Sequence, residues 1–407
     1  MAHTFLPEER SAEFMFRFLV SRIYNAYQLL FRRPTKYPVI LNANKVIEQN
    51  YSKRALLVYI VRPFLHREDD PVFRNHQNLR QCKQICRILD EFSYIVDVMD
   101  INDASSRVHY EYDLVISHCV NFNDGGIPFL SARRKVYLAS GMLHSRLNRN
   151  LRRRLELLEE RRGCRLKQEP WGDEDVSFVR EATAIVGFGN ESTVGTWRDV
   201  FAGPIYPFNN YGFSDTKFVE KEFSAARRSF LFFGGVHQLR KGLDLLLEVF
   251  PRHRDLQLYV CGSFKKETDF CQCYWKELYR TPNIHAMGRV KVNSKAFYEI
   301  VQKCAFIIHP SCSEGQPGSV VQCMHAGLIP IVTRESGIDT EDFGITLAND
   351  SLEEIAETVR TVSQLPDEWF KEHSVLTREK AQSDFSEERF INRWREIVRA
   401  ICEETQE

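Results

Sequence analysis

The sequence predicts an α/β chain built as two Rossmann-like domains facing each other across a cleft, and three observations lead there. The chain has 407 residues, more than one ordinary hydrophobic core fills. Apolar, strand-like runs alternate with helix-length runs in both halves, the pattern of a parallel sheet covered on both faces. A polar stretch over 206–222, YPFNNYGFSDTKFVEKE, then breaks the rhythm with turn residues and reads as the link between two such units.

Composition narrows the function classes. Hydrophobic residues at 43% and charged residues at 27% are ordinary for a folded protein. Lys plus Arg and Asp plus Glu balance at 55 each, so no overall field draws nucleic acid, and any anion must be held locally. The eleven cysteines follow no metal-ligand spacing, Cys271 and Cys273 being too close for a CxxC site, and they read as reduced thiols of a cytoplasmic protein. No apolar run reaches eighteen residues, and MAHTFLPEER lacks the layout of a secretory signal. Residues 12–33, AEFMFRFLVSRIYNAYQLLFRR, form an aromatic, basic segment that suits either a helix packed on its own domain or peripheral contact with an anionic membrane surface. Asp173, Glu174 and Asp175 read as a solvated turn, since no partner ligands for a metal stand near them in the sequence.

In the first half, ALLVYIV over 55–61, a helix over 75–91, then YIVDVMD, YDLVISH, RKVYLAS and ATAIVGFGN supply the alternation. In the second half it runs from SFLFFGG over 229–235 and KGLDLLLEVF over 241–250 through DLQLYVCG, NIHAMG, CAFIIHPS and LIPIVT. Helices follow over 351–364 and, with a Ser start signal, over 386–405, the last expected to cross back to the first domain. The divisions are an N-terminal amphipathic helix over 1–34, an acceptor-side domain over 35–212, a donor-binding domain over 213–385 and the crossing helix over 386–407.

Ligands of such sheets bind beyond the carboxyl ends of the strands, and there the second half is rich in glycine. SEGQPGSVVQCMHAGLIPIV over 313–332 follows a buried strand and opens a helix near Gly318, so that Gly315, Gly318 and Ser319 bring backbone amides and a positive helix end to a phosphate. Glu314 at its entrance has the acceptors for two sugar hydroxyls, and Gln322 offers both an acceptor and a donor to a ribose diol. In FLFFGGVHQLRKGLDLLLE, Gly234 and Gly235 let the backbone approach a diphosphate, and Lys241 supplies a point charge. Gly262, closing DLQLYVCG, and Gly288 with Arg289, closing NIHAMG, stand at neighbouring strand ends. Each glycine turn alone is equally a close-packing device; two in one sheet, in this order, carry the signal.

KGLDLLLE, CSEGQPGSVVQ and MHAGLIPIV together resemble the glycosyl transferases group 1 domain of glycosyltransferase family 4, over roughly 228–385. The resemblance implies a GT-B fold, a nucleoside-diphosphate-sugar donor, retention at the anomeric carbon, no required metal and no cofactor beyond the donor. By position it gives Glu314 the donor sugar and Lys241 the diphosphate. Two positions depart from the family pattern: the second Glu of its Glu, seven residues, Glu motif is Gln322, and the Arg five residues before the Lys is Val236, leaving His237 and Arg240 as substitutes.

More faintly, HQNLRQ over 76–81 and YLASG with RLELLEERRG resemble the acceptor domain of the same family. His118 ends YDLVISH where family members carry a His facing the donor sugar; a packing role and the rival His144, near Gly141, stand beside that reading. The implied reaction stabilises a leaving diphosphate while an acceptor hydroxyl, on a sugar-containing or lipid-linked molecule, attacks the same face. A non-catalytic sugar-nucleotide binder and a sugar-nucleotide epimerase of the same fold are the alternatives.

Overall fold

The computed structural model describes residues 39–67, 70, 73, 77–101, 110–118, 131–167 and 176–403. The segment 12–33, His76 and the acidic run 173–175 lie outside the described residues. Two six-stranded sheets organise the chain, and every strand pair in them is parallel.

The first sheet holds β1 (Lys53–Tyr59), β2 (Tyr94–Asp100), β3 (Glu111–Ser117), β4 (Ser131–Ala139), β5 (Ala184–Phe188) and β6 (Ile205–Phe208), in the order β2-β1-β3-β4-β5-β6. The second holds β7 (Ser229–Phe233), β8 (Gln257–Cys261), β9 (Ile284–Gly288), β10 (Phe306–His309), β11 (Ile329–Thr333) and β12 (Ile345–Leu347), in the order β12-β11-β10-β7-β8-β9. Winding reverses between β1 and β3 in the first sheet and between β7 and β10 in the second. At such a reversal neighbouring crossovers leave on opposite faces and open a crevice at the carboxyl ends of the strands.

Helix α1 (Gln77–Glu91) buries Leu79, Cys82, Ile85, Cys86, Ile88 and Leu89, a stripe at helical spacing that lies on the first sheet. Helix α2 (His144–Arg162) ends at Gly163, whose left-handed φ of 64° lets its N–H reach Glu159 O. The second domain adds α3 (Phe223–Ala226), α4 (Leu243–Val249), α5 (Thr268–Cys273), α6 (Trp275–Arg280), α7 (Lys295–Val301), α8 (Gly318–His325), α9 (Leu352–Val362) and α10 (Asp367–Asp384). The last helix, α11 (Glu387–Glu403), sends Phe390, Trp394, Ile397, Val398 and Ile401 into the core of the first domain, although it follows the second sheet in sequence. That stripe would otherwise be left in water.

Three elements were not legible in the alternation. Residues 205–208, partly inside the expected link, form the edge strand β6; Pro207 lacks the N–H of a central strand and is tolerated at an edge. Strand β12, three residues long, is the opposite kind of edge, too short to show a period. Helix α10 is largely polar and buries only Phe370, Ser374, Thr377 and Ala381.

The reading of all cysteines as reduced thiols is corrected. Cys164, just past α2, and Cys273, at the end of α5, form a disulfide with Cα atoms 6.0 Å apart. It joins the two domains across a sequence separation of 109. Sequence spacing could not find it, because only the docking of α2 brings the pair together. No described helix is long and apolar enough to cross a membrane.

Candidate functional site

The two winding reversals face each other over a cavity of about 440 Å³. From the first domain Tyr59, at the end of β1, lines it with Gln77, Asn78 and Gln81 of α1, Ser140 after β4 and Phe188 at the end of β5. From the second domain come Phe233, Gly235, Lys241, Val292 and the run 314–319, with Gln322. Among the described residues its charged lining is Lys241 and Glu314.

The glycine turn after β7 is held from below. Gly234 N donates to Cys261 O (2.9 Å), and a Cβ on Gly262 would stand 3.3 Å from Gly234 O, so Gly262 packs beneath the turn. The Glu267 carboxylate accepts from His237 N (2.7 Å) and Gln238 N (3.0 Å), while Gln238 Nε2 donates to Gly235 O (2.8 Å). His237 takes a left-handed φ of 67°, rare for a residue with a side chain, and the amides it presents are taken by Glu267. Lys241 N bonds His237 O, and Gly242 follows at φ 82° to start α4.

The second turn leaves β10 through Pro310 and reaches Glu314, whose N–H donates to Glu335 O (2.9 Å). Two close contacts between domains explain the glycines here. A Cβ on Gly315 would lie 2.1 Å from Ser140 O, and one on Gly141 would lie 2.4 Å from Gly315 Cα. Only bare backbone fits, so the domains touch main chain to main chain beside the cavity. Gly318 and Ser319 stand on the cavity wall where α8 begins, with the unsatisfied amides of a helix start.

Lys241 and Glu314 meet. The Lys241 ammonium is in direct contact with Glu314 Oε1, and each side chain is only 12% exposed. Behind them His309 is fully buried, its Nε2 3.8 Å from Glu314 Oε1 and its ring stacked on Phe232. Burial works against charge on Glu314, but Lys241, Arg240 and His309 outweigh it and hold the carboxyl well below the usual range. Burial also lowers the pKa of the His309 imidazole, against the opposing pull of Glu314.

Not every residue singled out in the sequence reaches the cavity. Gly235, Lys241, Glu314, Gly315, Gly318, Ser319 and Gln322 do; Gly234 and Gly262 lie one step below, Gly288 ends β9 at φ 74°, and Arg289 is exposed beyond it. Gln322 is already engaged: its Oε1 accepts from Phe213 N (2.9 Å) and its Nε2 donates to Thr216 Oγ1. Its Nε2 also reaches Asn293 Oδ1 (3.5 Å), so a ribose would have to use the second lone pair of Oε1 or displace that long bond. Val236 is 36% exposed, and Arg240 is buried.

His118 sits behind the wall rather than on it. Its ring meets Tyr59 edge to face at 5.5 Å, and its Nδ1 is 2.7 Å from Leu138 O. Burial lowers its pKa, although the Leu138 carbonyl works the other way. His144 is buried against Trp197 at the start of α2.

A layer of amides joins the domains and went unread in the sequence. Asn210 N donates to Gln316 Oε1 (2.6 Å), Gln316 Nε2 donates to Asn209 Oδ1 (2.9 Å), Gln81 Nε2 donates to Asn210 Oδ1 (2.8 Å), and Gln77 Nε2 donates to Tyr211 O. The run QNLRQ spaces Gln77 and Gln81 one helical turn apart, the one local signal of a polar stripe. Among the described residues, no three His, Cys, Asp or Glu side chains gather as a metal centre.

Comparison with known proteins places this geometry. The family described as Glycosyl transferases group 1 matches residues 227–364, about a third of the chain. A sucrose-phosphate synthase from Thermosynechococcus elongatus is similar over 87% of this chain and 100% of its own, with a TM-score of 0.57 at 12% identity. The Anabaena protein HepE, solved in complex with UDP-glucose, covers 86% of this chain and 100% of its own, at TM-score 0.53 and 12% identity. A glycosyltransferase from Rickettsia africae gives TM-score 0.53 at 12% identity over 87% and 100%. At these identities the likeness shows the fold, which is GT-B. No curated protein matches the chain.

Proposed function

Since residues 227–364 form a glycosyl transferases group 1 domain within a GT-B fold, we propose that the protein moves a sugar from a nucleoside-diphosphate sugar to an acceptor hydroxyl, with retention and without a metal. One observation carries the reading: Lys241 and Glu314, from two different turns, meet at the winding reversal of the second sheet and open on a cavity whose far wall belongs to the first domain. A diphosphate held by Lys241 and the amides around Gly318 and Ser319 leaves its sugar beside Glu314 and facing Tyr59, Gln77 and Ser140.

The chemistry then needs no covalent bond to the protein. The bond from the anomeric carbon to the diphosphate breaks as the acceptor oxygen bonds to the same face, and the acceptor proton passes to the departing phosphate oxygen. Negative charge grows on that oxygen, where Lys241 and the helix amides are fixed in advance. The same groups supply the positive potential that a divalent cation would otherwise give, which supports the metal-free reading. The acceptor is sugar-containing or lipid-linked in this proposal, met on the amide-rich first-domain side.

The wiring of Gln322 into Phe213 and Thr216 favours a second reading, a protein that binds sugar nucleotide without turnover. A thermal-shift panel of uridine, guanosine and adenosine diphosphates tests the site first; a ligand at about a hundred times its Kd stabilises by roughly 2.7 kcal/mol. Uridine leads the panel because the Anabaena structure holds UDP-glucose. Release of diphosphate from the matching sugar donor, unaffected by excess EDTA, supports transfer. Binding with no release from any donor supports the second reading.

A further inference from the structure

Helix α2 belongs to the first domain by sequence and to the second by packing. Leu151 and Leu158 are buried in the core of the second domain. Between them Arg154, 1% exposed, carries a guanidinium into that core. Its Nη1 donates to Asp244 Oδ1 (3.2 Å), and its Nη2 donates to Pro310 O (3.3 Å) and Asp350 Oδ2 (2.5 Å).

Those partners sit directly behind the site. Asp244, fully buried, lies in the first turn of α4, three residues after Lys241. Pro310 directly follows β10, four residues before Glu314. The two segments are also laced to each other: Cys312 N donates to Arg240 O (2.9 Å), Ser311 Oγ donates to Arg240 O (3.1 Å), and a Cβ on Gly242 would stand 2.2 Å from Pro310 O. A second side chain of α2, Asn150, donates from Nδ2 to Cys312 O (2.8 Å). The turn bearing Lys241 and the turn bearing Glu314 are therefore gripped together from the opposite domain.

We propose that Arg154 is a positioning residue for the donor site: it sets the spacing between Lys241 and Glu314, so that the site is complete only with the first domain docked. The proposal rests on the reading of Lys241 and Glu314 as donor groups. A planar guanidinium suits the task because it reaches two carboxylates and a carbonyl at once in fixed directions; a lysine at this position offers a point charge and a shorter reach.

Removing Arg154 alone leaves Asp244 buried with, among the described residues, one remaining cation, Arg161, whose Nη2 lies 3.1 Å from Asp244 Oδ2, and the protein then risks not folding. The test therefore uses Arg154→Met combined with Asp244→Asn, which removes both charges at similar volume, and Arg154→Lys, which keeps the charge. Arg162→Met is the control: Arg162 ties the same helix to Glu277 and Cys273 O, away from the site. Melting temperature, affinity for the diphosphate that the panel selects, and kcat and KM for the sugar donor are measured on each. The folded double variant and Arg154→Lys are expected to lose tenfold or more in kcat at saturating donor and about tenfold in diphosphate affinity. Arg162→Met loses melting temperature while kcat stays within twofold. A folded double variant, or failing that Arg154→Lys, with wild-type affinity and kcat overturns the proposal; so does an Arg162→Met that loses kcat as far as they do. Lys241→Ala separates the two levels: unchanged diphosphate affinity there refutes the donor-site reading itself.

Discussion

Consider Glu314→Gln. In the ligand-free protein the Lys241 ammonium touches Glu314 Oε1, and each side chain is 12% exposed, so the cation that would take a diphosphate is already neutralised. A phosphate oxygen bonded to the same ammonium stands about 4–5 Å from that carboxylate, where two like charges repel by roughly 3–4 kcal/mol at an effective dielectric constant of about 20. Sharing of the ammonium and screening by mobile ions remove part of this, leaving about 1–2 kcal/mol against the bare nucleotide. Gln keeps the volume and removes the repulsion. Isothermal titration with the selected nucleoside diphosphate is expected to give a Kd about five- to thirtyfold tighter than wild type. Sugar transfer should move the opposite way, down roughly ten- to a hundredfold, since a charged acceptor worth about 1.5–3 kcal/mol to the sugar is gone. The sequence alone, which assigns Lys241 to phosphate and Glu314 to sugar, expects less than about a threefold change in nucleotide affinity; contact between the two side chains couples those roles. An unchanged or weaker Kd, at an unchanged melting temperature, refutes the electrostatic argument.

Three further outcomes follow, two from contacts between the domains and one from a histidine buried in the second. Gly315→Ala would set a Cβ 2.1 Å from Ser140 O, backbone that cannot swing aside, so chemical denaturation should show a loss on the order of 1–3 kcal/mol and transfer should fall with it. Cys164→Ser with Cys273→Ser should lower stability by about 2–4 kcal/mol, and peptide mapping without reductant should find the two cysteines linked in the wild type. Burial holds the His325 imidazole down at about 4 against an ordinary 6.5, with Arg378 adding to the effect and the hydrogen bond to Phe385 O opposing it. The unfolded chain therefore takes up the proton first, and stability is lost as pH falls from about 6.5 toward 4. From pH 7 to 5 His325 should contribute about 2 kcal/mol of the loss, read by denaturant titration as the difference in pH dependence between the wild type and His325→Gln, since His118, His237 and His309 are lowered by burial as well.

What the sequence made legible and what it hid follow from range. Both turns at the second sheet announce themselves because strand, glycines and charged residue are consecutive: SFLFFGG with Lys241, and FIIHPSCSEG with Glu314. Periodicity likewise exposes α11, whose stripe Phe390, Trp394, Ile397 and Ile401 has nowhere to go on its own sheet. By contrast β6, with Pro207 and turn residues on either side, looks like a link, because an edge strand needs only one hydrogen-bonded neighbour and little apolar character. The amide layer of Gln77, Gln81, Asn210 and Gln316 was unreadable for a different reason. Its bonded partners are more than a hundred residues apart, and each residue is unremarkable until the domains dock.

Helix α2 shows how far docking can invert a local reading. HSRLNRNLRRRLELLEERR is so rich in arginine that by composition it should be a solvated surface helix, with Leu147, Leu151 and Leu158 as its one apolar stripe. In the folded chain Arg154, Arg161 and Arg162 instead meet Asp244, Glu248, Glu277 and Asp350 of the other domain. The charges on the two sides balance only as a pair of surfaces, which is why neither surface alone signals its role. A buried ion network of this kind adds little net stability compared with well-packed apolar residues, but each member left without its partner is costly, so misdocked arrangements are penalised. The network thus selects one relative placement of the domains. That placement brings Ser140 and Gly141 against Gly315 and closes the cavity around Lys241 and Glu314.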